Sequence, residues 1–341
     1  MTEPPSPLRM LLSRHTKRRE FITLLGCATA WPLAARAQSN GVPVIGLLNP
    51  TPRGGLWLPL EAAFRQGLSD TGYTEGRNVS IEGRWADGQY DRLPAMAVDL
   101  IQRGVAAIVA FTTPAVQAAK AATATIPIIF TTISDPVQIG LVASLNRPGG
   151  NLTGVTLLGV EVGPKQMELL HAAVPSAKSI GLLINPRNPN ANAQSKNLQT
   201  AAQRLGLQLH VLNASTPGDF NAVFERVHEL KAAALMIAQD VMFNSQTREL
   251  AELAMRYSIP AIYPTRDFAE AGGLMSYGTN LRDAYRQLGV YAGRILKGEK
   301  PANLPVIQAS KFELIINLKT ARTIGLTLSP DMLSIADEVI E

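Results

Sequence analysis

The chain has 341 residues, 46% of them hydrophobic and 17% charged, with a formal net charge of +5 and a single cysteine, Cys27. That length favours two domains, and a lone cysteine excludes a disulfide framework or a thiolate metal cluster. The positive charge is no nucleic-acid footprint, because nearly all of it belongs to one end of the chain.

Lys17 to Gln38 reads KRREFITLLGCATAWPLAARAQ. Arg14, Lys17, Arg18 and Arg19 make a basic start, Phe21 to Trp31 is mostly apolar, and Ala35-Arg36-Ala37 supplies a small-x-small cleavage site, the three parts of an export signal. The apolar run is shorter than the ~20 residues that a membrane span needs. Every later apolar segment is cut by charge, Gly or Pro. A buried helix is disfavoured, since Pro32 stops it where a packed helix would continue. Thr16 to Ile22 also resembles a twin-arginine signal, without its downstream Lys. Leu24-Leu25-Gly26-Cys27 resembles a lipobox, but the apolar stretch before it is short and Leu25 is bulky for its place. Cleavage after Ala37 is expected. Residues 1–37 hold six basic residues against two acidic ones, a net of +4 out of +5. The remainder is close to neutral and has no cysteine.

From there, apolar β-branched runs alternate with amphipathic stretches. Strands are expected over 42–49, 78–85, 106–111, 126–132, 179–185, 207–213, 232–240, 259–264, 274–277 and 312–317. Helices are expected over 58–71, 91–103, 164–173, 190–205, 219–230, 245–257 and 281–297, with another starting at Leu318. The strands are almost continuously apolar, as in parallel sheets covered on both faces, and the alternation means an α/β fold. The chain also repeats itself. VIGLLNP at Val44 returns as SIGLLINP at Ser179, AAIVAFTTP at Ala106 as AALMIAQDV at Ala233, and IPIIFTT at Ile126 as IPAIYPT at Ile259. Three echoes in order predict two similar, doubly wound lobes with parallel sheets. The lobe change should fall near Asn151–Thr156, after the Pro-Gly-Gly turn of RPGGN. The reading divides the chain into an export signal, 1–37; lobe 1, 42–152 plus 278–304; lobe 2, 156–276 plus 306–330; and a C-terminal tail, 331–341. Three hinge crossings result, with a cleft between the lobes. Ligands in open α/β sheets sit at the carboxyl ends of strands.

The segments PLAARAQ, PVIGLLN, TTPAVQAAK, SDPVQIGLVASLNRPGGNLTGV, SYGTNLRDAYRQLG and NLKTARTIGL together resemble an ABC transporter substrate-binding protein. The group resembled is the one whose members bind tryptophan and related amino acids. The resemblance covers nearly all of the chain after residue 37. It implies a type I-like periplasmic-binding-protein fold, a periplasmic location, and an inner-membrane permease with its ATPase as partner. A two-lobed sensor that signals to a membrane receptor stays open as the alternative. A monomer is expected, with a small-molecule ligand, no cofactor, no metal and no nucleic acid.

Thr112-Thr113-Pro114-Ala115 follows the third strand and opens a helix. On spacing alone it is equally a helix cap or an anion site. The resemblance, which implies Thr-Pro-Ala here, favours a ligand carboxylate at Thr113 and Ala115. Ser134-Asp135-Pro136 repeats the device after the fourth strand. Asp135 caps the helix expected next, or it or Ser134 faces a ligand amine. Asp240 ends a strand of lobe 2, where a carboxylate can meet an α-ammonium across the cleft. The resemblance implies a Thr-Asp pair where this chain has Gln239-Asp240, which leaves the ligand open. Asn49, Asn185, Tyr263 and Tyr277 also sit at strand ends facing the cleft, although Asn185 and Asn188 read better as turn residues in NPRNPN. Phe243, Tyr263 and Tyr277 could box an aromatic side chain, with core packing as the default. Trp57 lies near the same mouth and carries no assignment by itself. No enzyme is expected. There is no G-x-x-x-x-G-K-[ST], no G-x-G-x-x-G after the first strand, no H-E-x-x-H and no G-x-S-x-G. His171, His210 and His228 have no ligand spacing.

Overall fold

Apolar strands flanked on both sides by helices build two sheets. The computed structural model describes residues 41–54, 57–157 and 159–341, without the side chains of 159–161. The expected export signal lies outside them. The first part runs β1 (Val44–Asn49), α1 (Trp57–Asp70), β2 (Ser80–Trp85), α2 (Leu93–Gln102), β3 (Ala107–Ala110), α3 (Thr112–Ala122), β4 (Ile128–Thr132) and β5 (Leu152–Thr156). The second runs α4 (Gly159–Ala173), β6 (Ser179–Ile184), α5 (Ala191–Arg204), β7 (Gln208–Asn213), α6 (Phe220–Glu229), β8 (Ala234–Ile237), α7 (Val241–Ser245), α8 (Thr247–Arg256), β9 (Ala261–Tyr263), α9 (Arg266–Glu270) and β10 (Met275–Thr279). The chain ends with α10 (Leu281–Leu296), β11 (Ile307–Gln308), β12 (Phe312–Asn317), α11 (Leu318–Thr323), α12 (Pro330–Ser334) and β13 (Glu338–Ile340).

The first sheet has the order β11-β5-β4-β3-β1-β2 and the second β13-β12-β10-β9-β8-β6-β7. All pairs in the first are parallel. In the second only β10 and β12 are antiparallel. Laid side by side, β2-β1-β3-β4-β5 matches β7-β6-β8-β9-β10, so the echoing segments occupy equivalent strands. The chain passes between sheets three times, after β5, between β10 and α10, and between β11 and β12.

Burial on both faces explains the unbroken apolar strands. In β1, Ile45 and Leu47 join Trp57, Phe64 and Leu68 of α1 and Leu288 of α10, while Leu48 joins Leu93 and Leu100 of α2. In the second sheet, Leu182 packs with Met167 of α4 and Leu198 of α5, and Leu183 packs with Phe220 and Phe224 of α6. Helices α1 and α10 approach closely enough to need glycine. A Cβ on Gly289 would stand 2.0 Å from the Phe64 carbonyl oxygen, and one on Gly67 1.9 Å from that of Arg286.

Three strands depart from expectation. β5, with the sequence LTGVT, was not expected, and it joins the first sheet beside β4. Ile307–Gln308, expected in lobe 2, pairs with β5 in the first sheet, so that segment belongs to lobe 1. The expected tail, 331–341, ends in β13, which pairs in parallel with β12. Asp337 accepts from the Leu314 N–H at 2.8 Å, and Arg266 binds Glu338 at 2.8 Å. Strands of two or three residues are too short to print a pattern of their own.

Candidate ligand-binding site

The carboxyl ends of the strands of both sheets face a cavity of about 370 Å³, within the range of small-molecule sites. From lobe 1, Asn49 ends β1, Thr112 follows β3, and Thr131 and Thr132 end β4. From lobe 2, Asn188 follows β6 and Asp240 follows β8. Trp57 and Tyr285 form an aromatic wall, their ring centroids 5.7 Å apart and edge to face. Phe111 stacks behind Tyr285 at 5.1 Å. Leu60, Pro114 and Leu157 extend the apolar side.

Asp240 is 2% exposed and caps α7, taking the Met242 N–H on Oδ1 at 2.8 Å. Asn185 donates to the same oxygen at 3.1 Å. Asn188 donates to Oδ2 at 2.8 Å, and the Tyr90 hydroxyl donates to Oδ2 at 3.1 Å from the other lobe. Burial holds the Asp240 carboxyl above the ordinary carboxylate range, with the hydrogen bonds from Asn185, Met242, Asn188 and Tyr90 pulling the other way. Asn185 and Asn188 do keep the turn role expected of them. Their carbonyl oxygens accept from Arg187 N at 3.0 Å and Asn190 N at 2.9 Å, leaving the amides for Asp240.

A second link spans the lobes at Asn190. Its Oδ1 accepts from the Ser134 hydroxyl at 2.7 Å, and its Nδ2 donates to Thr113 Oγ1 at 3.3 Å. Thr113 also shares a hydrogen bond of 2.9 Å with Thr132. At the start of α3, Thr112 has a φ of +73°, a conformation that costs a β-branched residue strain and persists where the surroundings impose it. Its N–H donates to Thr131 Oγ1 at 3.1 Å, while its own hydroxyl and Asn49 Nδ2 are buried without a protein partner.

Of the residues expected at the site, Asn49, Thr112 and Asp240 line the cavity. Thr113 and Ser134 lie behind the wall and hold the lobes together through Asn190. Ala115 packs in the core between α3 and its sheet. Asp135 caps a series of turns rather than a helix, accepting from Val137 N at 2.8 Å. Tyr263 is fully buried, its hydroxyl donating to Asn244, which does line the cavity. Tyr277 stacks on Phe312, with ring centroids 6.1 Å apart, and is absent from the lining. Phe243 is core, beside Phe220. Sequence reasoning missed Tyr90, Tyr285, Arg53 and Asn190. Tyr90 is the one with a legible signal, an aromatic in the polar stretch ADGQYDR.

Two α/β lobes joined by three crossings, with a lined cavity between facing strand ends, make a solute-binding protein. A model of the family described as ABC transporter substrate binding protein matches residues 60–340. A tyrosine-binding protein of Clostridioides difficile (strain R20291) is 30% identical over 268 residues, 77% of this chain and 75% of that protein. The ABC domain from Streptococcus pneumonia solved in complex with L-Trp is 27% identical, with a TM-score of 0.78 over 88% of this chain and 100% of that one. A ligand-free, open substrate-binding protein with adhesive properties from Clostridium difficile is 26% identical, with a TM-score of 0.63 over 88% of this chain and 99% of that one. The chain belongs to the ABC transporter substrate-binding protein family.

Proposed function

We propose that this chain is the exported binding protein of an ABC importer. It captures a small organic carboxylate, an amino acid or a related acid, between its lobes, and delivers it without chemical conversion to an inner-membrane permease with its ATPase. The observation that carries the reading is the corner formed by Asn49 and Thr112. Two buried polar groups without protein partners meet there at the N-terminal end of α3, where the helix dipole favours an anion. Thr113 and Ala115 stand one layer behind and shape that helix start. The wall of Trp57, Tyr285 and Leu60 suits an apolar or aromatic body, consistent with the tyrosine and tryptophan named for relatives. Asp240 is the acidic group on the opposite lobe. In this reading the segment 1–37 directs export to the periplasm, and the mature chain works there as a monomer.

A thermal-shift screen of amino acids and their des-amino acids tests the ligand class, since a ligand that binds only the folded state raises its melting temperature. A carboxylate of moderate size should raise it in proportion to the logarithm of its concentration. Stabilisation by sugars or cations alone would refute the carboxylate reading. Mass spectrometry of the exported chain should find Gln38 at its N-terminus, and a lipid-modified Cys27 would instead put the protein on the membrane surface.

A further inference from the structure

We infer that the cavity selects carboxylic acids lacking an α-ammonium group, because Tyr90 fills the last acceptor position of Asp240. This rests on the reading of the cleft as a carboxylate site and narrows it to a substrate class.

An ammonium leaving water for a closed cleft needs an acceptor, and a carboxylate is the strongest one a protein offers. Among the described residues that line the cavity, Asp240 is the only acid. An ionised carboxylate accepts about four hydrogen bonds. Asp240 receives four from the protein, from Met242 N, Asn185, Asn188 and Tyr90. The first three come from its own lobe and fix its geometry. The fourth comes from the 3₁₀ turn Tyr90–Arg92 after β2, across the cleft. A ligand ammonium could enter only by displacing that hydroxyl, which would leave a half-buried phenol without its acceptor.

Positive charge, by contrast, is on offer. Arg53 is the only basic residue among the described lining, and its guanidinium lies over the Trp85 ring, 4.9 Å from the centroid. No described carboxylate pairs with it. The nearby Gln239, Asn244 and Gln246 are neutral. The cavity therefore offers a ligand neutral amides, with an exposed, unpaired guanidinium at its edge, while its one described anion is already satisfied.

Calorimetric titration of the mature chain with matched pairs tests this: tyrosine against 3-(4-hydroxyphenyl)propionate, tryptophan against indole-3-propionate, and leucine against 4-methylpentanoate. Within the pair that binds, the des-amino acid should bind about tenfold or more tightly, the size of one interaction with a charged group. Tyr90→Phe opens Oδ2 and should narrow or reverse that ratio. Asp240→Asn should leave the ratio of the otherwise wild-type chain unchanged, and circular dichroism establishes that both variants are folded. Tighter binding of the amino acid by the wild type, or a selective loss of amino-acid binding in Asp240→Asn, overturns the inference and leaves the carboxylate site standing. Binding of neither member of any pair overturns the carboxylate reading itself, and this inference with it.

Discussion

Replacing Asn190 by Ala should weaken ligand binding while leaving the fold nearly untouched. The side chain is 6% exposed, and both of its hydrogen bonds reach the other lobe, from Ser134 at 2.7 Å and to Thr113 at 3.3 Å. It makes no side-chain cap for α5, although it holds the N-cap position. Ala therefore costs the helix little, and the Asn190 backbone N–H keeps its bond to Asn188. One good and one long neutral hydrogen bond are together worth ~1–2 kcal/mol, all of it belonging to the closed arrangement. Ligand affinity scales with the population of that arrangement, so Kd should rise ~5- to 30-fold. The ligand-free melting temperature should shift by no more than about 2 °C, as for a substitution outside a packed core. Calorimetric titration with the acid found in the screen and scanning calorimetry of the free protein measure the two quantities separately. An unchanged Kd, or a lowered melting temperature with affinity retained, would refute the reasoning.

Gly289→Ala should destabilise lobe 1 by ~2 kcal/mol in denaturant titration, although Ala gains about 1 kcal/mol of helix propensity over Gly. Its Cβ would sit 2.0 Å from the Phe64 carbonyl oxygen, a backbone atom that moves only if α1 moves. Gly163→Ala, which meets only the flexible end of Leu198 at 3.1 Å, serves as the control and should be neutral or stabilising. Arg266→Ala removes ion pairs to Glu270, Glu313 and Glu338. Hydrogen exchange should then quicken in β13 more than in β12, whereas uniform protection would mean that the short strand is held by its backbone pairing alone.

The fold was legible because both faces of each sheet are covered. Burial of that kind writes long apolar runs, and the duplicated lobes wrote them twice, so VIGLLNP and SIGLLINP marked equivalent strands. The same duplication predicted more than was taken from it. A fifth strand in the second lobe, β10, implied a fifth in the first, yet LTGVT directly follows the Pro-Gly-Gly turn of RPGGN and was assigned to the change of lobe. The site was harder. A strand end places a residue near the cleft, but the pleat decides whether its side chain faces ligand or core. Asn49 and Tyr263 both end strands, and only Asn49 lines the cavity. Ala115 lies one turn into α3, on the face that meets the sheet. Tyr90 and Asn190 sit in connections whose path depends on the opposite lobe, so the aromatic in ADGQYDR marked Tyr90 as unusual without assigning it a partner, and Asn190 had no local signal at all.

The return of α10 to the first lobe has a consequence in time. A chain made from its N-terminus completes β1 to β5 long before residues 281–296 exist. Until then the α1 face bearing Trp57, Phe64 and Leu68 lacks the Leu288 side of its cluster, and β5 lacks its edge partner β11. The second lobe is likewise unfinished without β12 and β13. Neither half can mature as the nascent chain emerges, so both close late and together. In the interval, exposed apolar surface invites aggregation. Chains truncated before Leu281 should accordingly be insoluble, and an export route that demands a folded cargo would have to wait for synthesis of the last strand.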